Sequence, residues 1–156
     1  MIRKIFDHFE EVIGSLILAV MISVTFVNVV TRYVIIYPLA WTEEITVSMF
    51  VWIVLLGTSI AFRGNAHLSM TFVYDFMPLP LKKISFVIAN GMSIVFFALL
   101  IWMGSVQVLD EIALNVTSEA LAIPTAIYSA GVPVFSALVI VRILQSCRDT
   151  MRNNRY

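Results

Sequence analysis

The chain has 156 residues, with ten basic and ten acidic side chains that leave a formal net charge of zero. Hydrophobic residues make up 60 % of it and charged residues 13 %, against roughly 45–50 % and 25 % in a soluble domain. Such a balance points to a membrane protein and, without a basic helical stripe, argues against nucleic acid as a partner.

Four apolar runs stand out, at about residues 12–34, 45–62, 84–109 and 121–144. Each is long enough to cross a bilayer as a helix. The expected fold is all-α and integral to the membrane: one domain of four transmembrane helices, with short amphipathic helices in the interface. Residues 1–11 carry Ile2, Ile5, Phe6 and Phe9 at helical spacing opposite Arg3, Lys4, Asp7, Glu10 and Glu11. That pattern suits either a segment lying in the interface or a plain extension of the first span. The first run is too long for the core of a signal peptide, so it reads as an uncleaved span. It ends with Asn28 and Arg32 on one helical face, and Pro38 breaks the chain before the second span.

The second span opens on Trp41, Glu43 and Glu44, where carboxylates complement the helix dipole. Glu44, Ser48, Trp52, Ser59 and Arg63 fall roughly along one face, and Gly57 and Ala61 form a small-x-x-x-small pair that admits a close helix neighbour. Residues 64–83 form the longest loop. Leu68, Phe72, Val73, Phe76 and Met77 give it an apolar face, and the expected interfacial helix ends at Pro78 and Pro80. The third span carries Asn90, Gly91, Ser93, Gly104 and Ser105. The fourth carries Ala126, Ala130, Gly131 and Pro133, the last of which deprives the Ser129 carbonyl of its helical donor.

Of ten Lys and Arg residues, only Arg32 approaches the side that also holds Glu43, Glu44, Asp110, Glu111 and Glu119. The positive-inside rule therefore places both termini in the cytoplasm.

Chemistry is sparse. The single cysteine, Cys147, lies in the basic tail, cannot form an internal disulfide, and reads as a reduced thiol. His8 and His67 lie outside the spans, which argues against haem, and no cluster of zinc ligands or phosphate-binding loop can be drawn. An ionisable group near the middle of a span, the usual mark of ion-coupled transport, is not expected. The chain reads as neither an enzyme nor a transporter by itself, and it needs no cofactor or metal.

The series Asn28, Arg32-Tyr33, Trp41-x-Glu43-Glu44, Phe50-Val51-Trp52, Gly57, Ala61, Arg63 and His67 resembles the small membrane subunit of tripartite ATP-independent periplasmic (TRAP) transporters, as does Ile123-Pro124 with Tyr128 and Pro133. Thr71 departs from the pattern, since many members carry an acid there. The resemblance implies a multi-pass subunit of the bacterial inner membrane in a sodium-coupled importer of organic acids, of the dicarboxylate, sialic acid or sugar acid type. Its partners would be a large polytopic transport subunit, a periplasmic substrate-binding protein and membrane lipid. It would serve as the stationary scaffold of an elevator and would not carry the substrate site. Arg32, Trp41, Glu43, Glu44, Gly57, Ala61, Arg63 and His67 are the candidate interface residues, with Arg32 expected to pair with Glu44, or with Glu43 or lipid phosphate instead. Two other readings stay open: a self-sufficient dimeric four-helix exporter, which would want an acid near residues 21–24, and an accessory subunit of an electron-transfer complex.

Overall fold

The structure is a computed structural model that describes residues 2–37, 39–63 and 79–153. Helix α1 spans Ile2–Val30, α2 Ala40–Arg63, α3 Leu79–Ala113, α4 Ala126–Ser129 and α5 Gly131–Asn153. Among the described residues four stretches are long and apolar enough to cross a membrane: Phe9–Ile35, Ala40–Phe62, Ile84–Ala113 and Ala126–Thr150. The expected helix in the second loop falls on residues 64–78, outside those described.

Helix α1 settles the alternative left open at the N-terminus, because residues 2–11 continue the first spanning helix. Its far end widens into a π-turn over Thr31–Ile35. The Thr31 hydroxyl bonds back to the carbonyls of Val27 and Asn28, at 3.0 and 3.1 Å. The Thr31 carbonyl then accepts the N–H groups of Ile36 and, at 3.1 Å, Tyr37. Ile36 closes the turn in the left-handed region, with φ 59° and ψ 32°. Thr42, fully buried, ties the start of α2 by donating both its N–H and its hydroxyl to the Leu39 carbonyl.

Helix α3 is longer than the apolar run suggests. Pro80 lies in its first turn, where the missing N–H costs no hydrogen bond. At the other end Asn115, with φ 48°, adopts the left-handed capping conformation.

The fourth span starts about five residues later than its hydropathy implies. Residues 116–125 form a tight return loop, in which Thr117 bridges Pro124 and the N–H groups of Ser118 and Thr125 bond the carbonyls of Ile123 and Val116. Ala122, with φ 53°, turns the chain inside it. Helix starts only at Ala126 and breaks again at Ala130, next to the Ser129 carbonyl to which Pro133 supplies no N–H.

That break is where the fourth span meets its neighbours. Trp52 of α2 donates its indole N–H to the Tyr128 carbonyl at 3.1 Å, and its ring lies so close to Gly131 that a Cβ there would overlap it. On the other side, a Cβ on Gly104 of α3 would come 3.2 Å from the Pro133 ring. Close approach, not backbone angle, calls for glycine at 131, and at 104 a side chain would need the proline ring to shift by a few tenths of an ångström. Below the break Leu55, Phe62, Phe97, Val139 and Ile143 form the core shared by α2, α3 and α5. Phe62 meets Phe97 edge to face at 6.5 Å, and Trp52 tilts over Phe135 at 6.0 Å. Cys147 packs against this core and is part of the span, not of a free tail. Helix α1 lies outside, packed on α2.

Replacing Gly131 by Ala should force Trp52 aside and lower stability by about 1–3 kcal/mol, the usual cost of overpacking. In a Trp52→Ala background the same change should cost little more. Thermal melts of the four proteins in one detergent check this, and fully additive losses would show that the two residues do not meet.

Candidate functional site

Polar side chains gather at the two ends of the bundle. At the end holding the start of α1, Glu10 is 2 % exposed, Arg142 of α5 is 6 % and Ser59 of α2 is 0 %. The Arg142 Nε donates to Glu10 Oε1 at 2.8 Å, and the Ser59 hydroxyl donates to the same oxygen at 3.3 Å. Arg142 Nη1 reaches Gln145 Oε1, one turn on, at 3.0 Å. One carboxylate thus joins three helices where water is excluded. The sequence pattern puts Glu10 on the polar face of an N-terminal segment and gives no partner for it, so it does not reveal this cluster. Its one legible signal is Arg142 lying between Val141 and Ile143, with apolar residues on both sides.

At the opposite end Glu44 accepts a hydrogen bond from the Ser118 hydroxyl and another from the Ala120 N–H at 3.2 Å. It therefore ties the start of α2 to the return loop, and its expected pairing with Arg32 is not made. Arg32 lies instead 3.9 Å from Glu43, with the two side chains 59 % and 67 % exposed. The reason is angular: neighbouring helix residues are about 100° apart, so Glu44 faces the bundle while Glu43 faces out toward α1. Glu111 accepts hydrogen bonds from Gln107 Nε2 and the Ser129 hydroxyl, each at 2.9 Å, linking α3 to α4.

The remaining candidates fall apart from these clusters. Trp41 is half-buried in the first turn of α2. A Cβ on exposed Gly57 would meet nothing within 4 Å, so among the described residues no helix comes close to the face it shares with Ala61. Arg63 is the last residue of α2, and His67 lies outside the described residues. Among the described residues no three His, Cys, Asp or Glu side chains are grouped to hold a metal ion. The open groove beside Trp102, Met103 and Val106, about 470 Å³ in volume, is mostly apolar. What the arrangement does chemically is fasten helices at both ends of the bundle.

The family model for the DctQ component of tripartite ATP-independent periplasmic transporters matches residues 21–153. The chain belongs to that family. This DctQ-family chain is thus a multi-pass membrane protein and a small TRAP permease subunit. It is 26 % identical over 141 residues to the isethionate TRAP transporter permease protein DctMQ of Oleidesulfovibrio alaskensis, a match covering 86 % of this chain and 22 % of that one. It is 32 % identical to the sialic acid TRAP transporter small permease protein SiaQ of Vibrio cholerae, over 50 % of this chain and 45 % of that one. The C4-dicarboxylate small permease DctQ of the same organism is 30 % identical, over 61 % and 41 %. The chain spans less than half the length of each of these relatives.

Arg142→Ala should strand a buried carboxylate and cost about 3–5 kcal/mol, whereas Glu10→Leu with Arg142→Met should recover most of that loss. Arg32→Ala, breaking an exposed contact, should cost about 0–1 kcal/mol. Melting temperatures in detergent rank the three; an Arg142→Ala protein as stable as the parent would show the buried pair to be energetically idle.

Proposed function

We propose that this chain is the stationary small subunit of a sodium-coupled importer of organic acid anions in a bacterial inner membrane. Its partner would be a large polytopic permease that carries the substrate and sodium sites, fed by a periplasmic substrate-binding protein. The observation that carries this reading is the DctMQ match, in which 86 % of this chain corresponds to 22 % of a much longer permease. A polypeptide of that kind joins a segment like this one to a larger remainder, as two subunits in contact would be joined. The named relatives handle isethionate, sialic acid and C4-dicarboxylates, all of them organic acid anions.

The internal fastenings support the scaffold role. Glu10 and Arg142 neutralise each other at one end of the bundle, and Glu44 and Glu111 are held by loop and helix donors at the other. Charges committed to holding helices together suit a part that stays fixed while another slides. Gly57, open on the outside of α2, offers a close approach to a helix from another chain.

Gly57→Leu tests this interface separately from the fold. With nothing near its Cβ, the variant should melt as the parent does, yet lose co-purification with a co-expressed large permease and lose uptake. Full retention and uptake would mean that this face looks at lipid. The distribution of basic residues supports an orientation with both termini in the cytoplasm. A Glu119→Cys reporter in a Cys147→Ser background, on the exposed return loop, should react with a membrane-impermeant maleimide in intact spheroplasts. Labelling only after lysis would reverse the topology.

A further inference from the structure

The link between the first two spans exposes an unusual amount of apolar and aromatic surface at the membrane boundary. Tyr33 is 77 % exposed, Ile36 84 % and Tyr37 65 %. Ile36 does this from the left-handed region, where a β-branched residue is an outlier. The stretch closes the apolar span Phe9–Ile35 and comes just before the one that starts at Ala40, so it lies at the depth where hydrocarbon gives way to headgroups. Aromatic side chains favour that depth.

Two opposite charges stand on this rim, one on each helix. Arg32 and Glu43 are 3.9 Å apart and both more than half exposed. A charge-assisted N–H···O bond is about 2.7–2.9 Å long, so neither group saturates the other. An arginine offers five N–H donors and a carboxylate about four acceptor sites. The result is a fixed positive-to-negative dipole with spare hydrogen-bonding capacity, flanked by apolar surface.

We infer that the Arg32–Glu43 pair is a docking site for a zwitterionic phospholipid with a primary ammonium headgroup, its phosphodiester on Arg32 and its ammonium on Glu43. The complementarity is one of charge. A phosphate and an ammonium two carbons apart present the opposite dipole at similar spacing. An anionic headgroup would satisfy Arg32 but meet Glu43 with nothing to neutralise it. A trimethylated ammonium has no N–H to give the carboxylate. Tyr33, Ile36 and Tyr37 then flank the glycerol and upper acyl chain. The inference rests on this chain alone and holds whether or not a larger permease is its partner.

Native mass spectrometry of the full chain tests it, with equimolar dioleoyl phosphatidylethanolamine, phosphatidylcholine and phosphatidylglycerol added in mild detergent. The parent should retain phosphatidylethanolamine about tenfold over each competitor, the factor expected from one charge-assisted hydrogen bond. Arg32→Gln should abolish retention and Arg32→Lys restore part of it. Glu43→Gln should erase the preference over phosphatidylcholine. Both side chains are exposed, so these variants keep the fold, and the competition on the parent protein is decisive without them. Equal retention of all three lipids, a preference for phosphatidylglycerol, or an unchanged preference in Glu43→Gln would each overturn the assignment.

Discussion

The buried pair of Glu10 and Arg142 is the constraint on which the arrangement of the first helix depends. Helix α1 packs on α2, and none of its described side chains joins the core shared by α2, α3 and α5. Apolar contact alone gives it little reason to choose one rotation over another, because lipid tails are as apolar as its neighbours. A carboxylate that must meet both Arg142 and Ser59 removes that freedom. Leaving either charge unpaired in a water-free site would cost more than any one packing contact contributes. Helix α1 is thereby held to α5 as well as to α2 by one oxygen atom accepting two hydrogen bonds.

At the other end a different device does similar service. Pro133 and Gly131 weaken the fourth span near its start. Trp52 supplies the missing restraint by capping the Tyr128 carbonyl with its indole N–H. Glu111 and Glu44 then bind Ser129 and the loop, so that the weakened turn is held from α2 and α3 together. The small residues Gly104 and Gly131 are the counterpart of this restraint, since they let a proline ring and an indole come close to the backbone.

The four spans and the family were legible in the sequence because both rest on local signals: runs of apolar residues and short motifs in fixed order. What escaped notice depends on backbone direction or on distant partners. Leu121, Ala122 and Ile123 are apolar, and a hydropathy window assigns them to the fourth span. It cannot see that Ala122 turns the chain in the left-handed region and that Pro124 pairs with Thr117. The Arg32–Glu44 pairing was right about depth and wrong about rotation, since the step of one residue around α2 sends Glu44 to Ser118. Glu10 and Arg142 looked like rim charges because each lies near the end of an apolar run.

The separation of that pair along the chain, 132 residues, sets a schedule for biogenesis. Ribosomes add about 5–20 residues per second, so roughly 7–26 s pass between synthesis of Glu10 and synthesis of Arg142. Through that interval α1 is already apolar enough to enter the bilayer, while Arg142, the partner that its carboxylate meets in the finished bundle, has yet to be made. Burying Glu10 before Arg142 exists would leave it without that partner in a site closed to water, which is costly. Arrival of the last span supplies the partner. Closure of this end of the bundle is therefore a late event, set by the last span and not by the first.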